Sequence, residues 1–152
     1  VAWSNRWSAF NKVRKETGYR SGLEAEIAKD LKGRKASFLY EPKRLYYVHR
    51  THYTPDFILR KQAIIIEAKG EFTSADRKKM RLVKEQYPDL DIRMVFSNPN
   101  TLIGKKSKTT YAMWCERHGF PYAKGRIPEE WLKHKPKAKQ KKALEAWLDG
   151  KS

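Results

Sequence analysis

Three side chains near the middle of the chain could do chemistry together. They are Asp56 in TPDFILR (54–60) and the Glu67 and Lys69 pair in QAIIIEAKG (62–70). Ile64, Ile65 and Ile66 mark an interior strand. Alternation then sets Glu67 and Lys69 on the face of Ile65, with Ile64, Ile66 and Ala68 on the other. Two charges inside a buried strand each cost several kcal/mol unless something compensates, on the order of what desolvating an ion requires. A short turn around 60–62 would lay the preceding strand alongside and bring Asp56 to Glu67. Two carboxylates with no His or Cys nearby form a hard-oxygen site suited to Mg²⁺, with Mn²⁺ able to substitute. A cation there would neutralise the carboxylates and leave Lys69 to face a phosphate. Phosphodiester hydrolysis needs those parts: an activated water, and positive charge against the negative charge developing on the phosphorane oxygens. Glu and Lys two apart also occur on many solvated strand faces, so the pair gains weight from the isoleucines, from Asp56 and from the charge of the whole chain.

The elements that must position these groups can be read on either side of them. Leu23, Ile27 and Leu31 recur at helical spacing, with Gly33 as a stop. Ser21 and Glu24 have the spacing of a capping box, which gives Glu24 a structural role. ASFLYE (36–41), RLYYVHR (44–50), HYTPDFILR (52–60) and QAIIIEAKG (62–70) read as strands. SADRKKMRLVKEQY (74–87) is a helix with Met80, Leu82, Val83 and Tyr87 on its apolar side, and DIRMVFS (91–97) is a buried strand. TYAMWCERHG is a helix stopped by Gly119, IPEEWLKH is another with Pro128 at its first turn, and KPKAKQKKALEAWLDGKS is a lysine-rich linker leading into a short helix. The pattern predicts an α/β fold, a mixed central β-sheet flanked by helices. Residues 1–19 form a basic and aromatic arm, with Trp3, Trp7 and Phe10 packing on the body; 20–134 form the nuclease domain, and 135–152 a lysine-rich tail.

Charge names the partner. The chain of 152 residues has 34 Lys plus Arg against 17 Asp plus Glu, a formal net charge of +17. Such an excess repels itself and suits a polyanion, DNA above all. Arg20, Ser74, Arg77, Lys78, Lys79, Lys105, Lys106 and Lys108 are the expected DNA contacts, with Arg81 and Lys84 extending the basic side of the second helix. Ser74 with Asp76 offers either a phosphate seat or a plain helix cap. No apolar run is long enough to span a bilayer, no amphipathic helix gathers the basic residues for a membrane surface, and residues 1–15 lack the apolar core of a signal peptide. The lone Cys115 excludes an internal disulfide. An intracellular protein is expected. Composition alone fits a non-catalytic architectural DNA-binding protein or an RNA-binding protein equally well, but neither needs Asp56, Glu67 and Lys69 at one point.

RSGLE (20–24), YTPDF (53–57), IEAKG (66–70), SADRKK (74–79), LDIRMVFS (90–97) and IPEEW (127–131) resemble, in order and spacing, the bacteriophage endonuclease I family. The resemblance covers about Arg20 to Leu132. It implies a restriction-endonuclease-like core and a Mg²⁺-dependent endonuclease that resolves four-way (Holliday) junctions and other branched DNA, leaving 5′-phosphate and 3′-hydroxyl ends. It also implies a catalytic set of Glu24, Asp56, Glu67 and Lys69, with Glu24, Asp56 and Glu67 on the metal, so that Glu24 gains a role beyond its cap. A segment-exchanged homodimer bridged by residues 43–52 is implied as well, and the host cytoplasm as the location if a phage encodes the chain. The stretch from Glu41 to Tyr53 is shorter than the family norm. That leaves a nicking or mismatch-type endonuclease with the same active site as the alternative.

Overall fold

The computed structural model describes residues 11, 12 and 14–150. Trp3, Trp7 and Phe10 of the expected arm lie outside the described residues. The chain divides into two compact units, Val1–His49 and Arg50–Ser152.

In the first unit the helix α1 spans Gly22–Gly33. Ser21 caps it from extended backbone, its hydroxyl accepting from the Glu24 N–H (3.2 Å) while the Glu24 carboxylate accepts from the Ser21 N–H (3.2 Å), the expected capping box. Ala28 is buried, but Leu23 and Ile27 of the apolar stripe are 67% and 51% exposed. The strands expected over 36–41 and 44–50 do not form. Leu45 and Val48 stand 94% and 89% exposed. β propensity measures fit to a pleated, half-buried surface and yields a strand only when a neighbour supplies hydrogen bonds.

The second unit holds β1 (Phe57–Leu59), β2 (Ile64–Lys69), α2 (Ser74–Gln86), β3 (Asp91–Phe96), α3 (Tyr111–His118), β4 (Tyr122–Lys124), α4 (Glu129–Leu132) and α5 (Ala138–Leu148). One sheet runs in the order β1-β2-β3-β4. β1 is antiparallel to β2, and β2, β3 and β4 are mutually parallel, so the mixed sheet flanked by helices is borne out. The expected strand over 52–60 contracts to β1, because Pro55 withholds an N–H just ahead of the ladder. The turn at 60–62 is present, closed by Gln62 N–H to Leu59 C=O and Ala63 N–H to Arg60 C=O, both 3.2 Å.

Alternation along β2 divides the isoleucines as expected. Ile65 enters the larger core with Phe72, Met80, Met94, Phe96 and Trp114. Ile64 and Ile66 pack with Trp131 on the opposite face. Phe72 lies at the centre of the larger core, its ring edge-on to Trp114 with centroids 4.9 Å apart. Met80 and Val83 of α2 face inward, whereas Leu82 and Tyr87 stay about half exposed. β4 was not anticipated, being three residues between Pro121 and Gly125. The lysine-rich segment is less free than a tail, since α5 buries Leu144 in the larger core. Among the described residues no helix is long and apolar enough to cross a membrane.

Candidate active site

The second unit gathers its unusual polar groups at the C-terminal end of β2. Parallel strands that are neighbours in a sheet tend to bind ligands at that end. Continuing the Phe57↔Ile66 pairing by one step sets Asp56 opposite Glu67. Like charges directly across two strands are destabilising, and a bound cation reverses the sign. Asp56 is held by the backbone, its Oδ2 accepting from the Ala68 N–H at 2.8 Å.

Glu67 follows Ile65 on the larger-core face and is only 3% exposed. Burial at that level demands partners, and Glu67 has two. Tyr53 donates its hydroxyl to Oε2 at 2.8 Å, and Lys69 Nζ lies 3.3 Å from Oε1. Burial, then the Glu67 hydrogen bond and charge, push the Tyr53 phenol far above the ordinary tyrosine range, so it stays protonated and donating.

Lys69 Nζ is shared, with Asp76 Oδ1 also at 3.3 Å. Partial burial pulls the ammonium down, but the Glu67 and Asp76 carboxylates outweigh it and raise its pKa above the ordinary lysine value. Asp76 opens α2. Thr73, not Ser74, is the N-cap, and Asp76 N–H donates to Thr73 Oγ1 (3.1 Å) while the Asp76 carboxylate accepts from the Thr73 N–H (3.0 Å). Burial opposes ionisation of Asp76, and the Thr73 hydrogen bonds with Lys69 more than compensate, lowering its pKa. The helix cap and the lysine are therefore mechanically joined.

Glu24 belongs to the first unit. Its Oε2 accepts from the Tyr40 hydroxyl at 2.7 Å and from the Arg20 N–H at 2.8 Å. The Tyr40 bond, against partial burial and aided by the Arg20 and Ser21 backbone, holds the carboxyl below its ordinary value.

The expected DNA contacts separate into committed and free side chains. Arg20 pairs with Glu41 at 3.0 Å. Arg77 donates to the Phe72 carbonyl. Lys79 lies 3.9 Å from Asp76 and over the Tyr53 ring. Lys84 donates to the Gly119 carbonyl at 2.7 Å and covers Phe120, capping α3. Ser74, Lys78, Lys105, Lys106 and Lys108 are exposed. Sequence reading passed over Tyr53 and the Asp76–Lys69 pair. Tyr53 stands three residues before Asp56, an odd spacing that alternation would set on the opposite face, so the sequence carried no signal for it. The Asp76 contact had none either, because it forms only when α2 docks beside β2.

Asp56 and Glu67 fit Mg²⁺, which takes one or two carboxylates and fills its remaining positions with water and substrate oxygens. Among the described residues no three His, Cys, Asp or Glu side chains gather as a protein-only metal cage.

The sequence comparison assigns the class: residues 5–151 match the phage endonuclease I family, and the chain belongs to it. The match reaches past Arg20–Leu132 into both the arm and the lysine-rich end. Endonuclease I of Escherichia phage T7 is 44% identical over 128 residues, 82% of this chain and 85% of that protein. Endodeoxyribonuclease 1 of Enterobacteria phage T3 is 45% identical over 122 residues, 78% and 80% of the two chains.

Proposed function

We propose that this protein is an endodeoxyribonuclease that hydrolyses phosphodiester bonds in branched DNA, four-way junctions foremost, with Mg²⁺ as cofactor and Mn²⁺ as a substitute. Membership of the phage endonuclease I family and the T3 relative's name support a DNA endonuclease. The observation that carries the chemistry is the buried Glu67, opposite Asp56 and paired with Lys69.

Asp56 and Glu67 would hold the cation, and Glu24 is the third carboxylate of the proposed set. When bound, the cation supplies water activation and charge neutralisation at the phosphate. Tyr53 fixes one oxygen of Glu67, so the carboxylate cannot rotate. Lys69, kept charged by Glu67 and Asp76, faces a non-bridging phosphate oxygen and stabilises the negative charge that grows there. Water oxygen bonds to phosphorus as the P–O3′ bond breaks. The departing 3′ oxygen takes a proton, which leaves 5′-phosphate and 3′-hydroxyl ends.

A homodimer belongs to this reading, because symmetric resolution of a junction needs two coupled cuts. The first unit supports it with an apolar helix stripe and a β-prone run, Leu45–Val48, that stand in solvent among the described residues. A restriction-endonuclease-like core is proposed with it, supported by the mixed sheet and the carboxylates at its strand ends.

Cleavage of an immobile four-way junction, beside a linear duplex of the same arm sequence, with Mg²⁺ and with EDTA, is the test. Paired, metal-dependent cuts near the branch are expected. Single nicks in both substrates would turn the assignment to a nicking enzyme with the same site. Tight binding without cleavage in Mg²⁺ and Mn²⁺ would overturn it.

A further inference from the structure

The lysine-rich segment has a place in the fold that the active site does not account for. Between 133 and 142 stand Lys133, Lys135, Lys137, Lys139, Lys141 and Lys142, all exposed. Lys133 pairs with Glu129 (3.6 Å) and Lys139 with Asp89 (3.6 Å). Lys135, Lys137, Lys141 and Lys142 have no acidic partner within 4.0 Å among the described residues.

Electrostatics opposes this arrangement in the isolated protein. Lys137 is the N-cap of α5, and the first turn of that helix contains no acid. A helix N-terminus already bears partial positive charge, so cations there repel it. Clustered lysines also repel one another, and a polyanion reverses both signs.

The segment is nevertheless held firmly. Leu144 is 1% exposed, and Trp147 packs on the same core. Arg60 grips Glu145 through two hydrogen bonds of 3.1 and 2.6 Å. Gln62 donates to the Leu132 carbonyl at 2.7 Å. These anchors also fix its location. Arg60 and Gln62 form the β1–β2 turn, and Asp89 precedes Asp91, which pairs with Ile64. The lysines thus stand at the Ile64 end of the sheet, opposite the end that bears Asp56, Glu67 and Lys69. Along β2 the separation is about 10 Å to Glu67 and about 17 Å to Lys69, at about 3.3 Å per residue. That is roughly three to five base-pair steps of about 3.4 Å each.

From this placement we infer that Lys135, Lys137, Lys141 and Lys142 form a second phosphate-binding surface, on which a duplex arm of the DNA substrate rests about three or more base pairs from the scissile phosphate. The inference rests on the reading of the chain as a DNA nuclease. It gives the lysine-rich end a task distinct from chemistry: the surface holds an arm and takes no part in cutting.

The test uses the full chain with all four lysines changed to glutamine (K135Q/K137Q/K141Q/K142Q), beside the four-arginine version. Binding to a four-way junction is measured in EDTA over a range of salt, and cutting in Mg²⁺ at saturating DNA. The glutamine variant should bind about tenfold or more weakly, with its log–log salt slope shallower by roughly 0.9 for each phosphate that a lysine no longer neutralises. Its kcat and thermal midpoint should match the parent's, and the arginine variant should bind like the parent. Ethylation of phosphates about three or more steps from the cut should weaken binding of the parent and not of the glutamine variant. Unchanged affinity and slope, or ethylation interference confined to the branch point in both proteins, would overturn the inference while parent cutting upheld the nuclease reading. A parent that neither binds nor cuts DNA would instead sink the nuclease reading.

Discussion

The two units of this chain use similar raw material to opposite ends. Arg50–Ser152 closes its own core: Ile65, Phe72, Met80 and Phe96 are almost wholly excluded from water, and Cys115 lies among them. Val1–His49 has a well-capped helix and a β-prone run, yet Leu23, Ile27, Leu45 and Val48 remain in solvent. The difference is not composition but the availability of a neighbour. Each strand of the sheet pairs with a strand close in sequence through a turn or a single helical crossover, while residues 44–50 find no such partner among the described residues. The first unit is locally well specified, yet these apolar side chains stay in solvent among the described residues, which is what the proposed homodimer would use.

Substitutions in each unit test that contrast. The largest effect belongs to Glu67→Gln, which should lower junction cutting about 10³-fold or more with folding and DNA binding retained. Normal cutting by that variant would empty the site of its chemistry. Next, Phe72→Ala should destabilise the second unit by about 3–5 kcal/mol, whatever the protein concentration. Leu23→Ser with Ile27→Ser should act through association instead: self-association weakens by about tenfold or more in sedimentation, and the thermal midpoint falls most at low protein concentration. If the double variant sediments like the parent, α1 is not part of an interface. Tyr53→Phe frees one oxygen of Glu67 and should raise the Mg²⁺ needed for half-maximal cutting about tenfold, with kcat at saturating Mg²⁺ nearly kept, as removal of a supporting partner of a metal ligand does. The smallest test reads the core directly. Burial pushes the Cys115 thiol up to about 12, so Ellman's reagent at pH 8 should leave it untouched in the native protein and titrate it only in denaturant. Rapid reaction of the folded chain would mean that the second unit is far more open than its packing shows.

Much of this was legible beforehand. β2, α2, β3 and α3 fall close to their expected spans, because each is long or strongly periodic and bounded by its own stops. The convergence of Asp56 on Glu67 followed from a short turn and two-residue alternation. The run at 44–50 has real β propensity yet forms no strand, because no described segment pairs with it. β4 escaped notice because three residues between a proline and a glycine are too few to show a period. The short helix at the lysine-rich end is present as α5, but the pattern gives a tail rather than a docked element, because its charges outnumber the two residues, Leu144 and Trp147, that anchor it.

Residue type and spacing were enough to limit the chemistry available: carboxylate oxygens with no nitrogen or sulfur group nearby in sequence, a lysine two residues from a carboxylate, and a surplus of positive charge. Folding does not alter those properties. Which charges are engaged was settled by the packing of distant elements alone. Lys69 is held by an aspartate from a helix that must first dock, Lys84 is spent on capping α3, and four lysines at the far end of the sheet have no acidic partner within 4.0 Å among the described residues. Such pairings depend on which elements meet in space, and long-range contacts leave no period in the sequence.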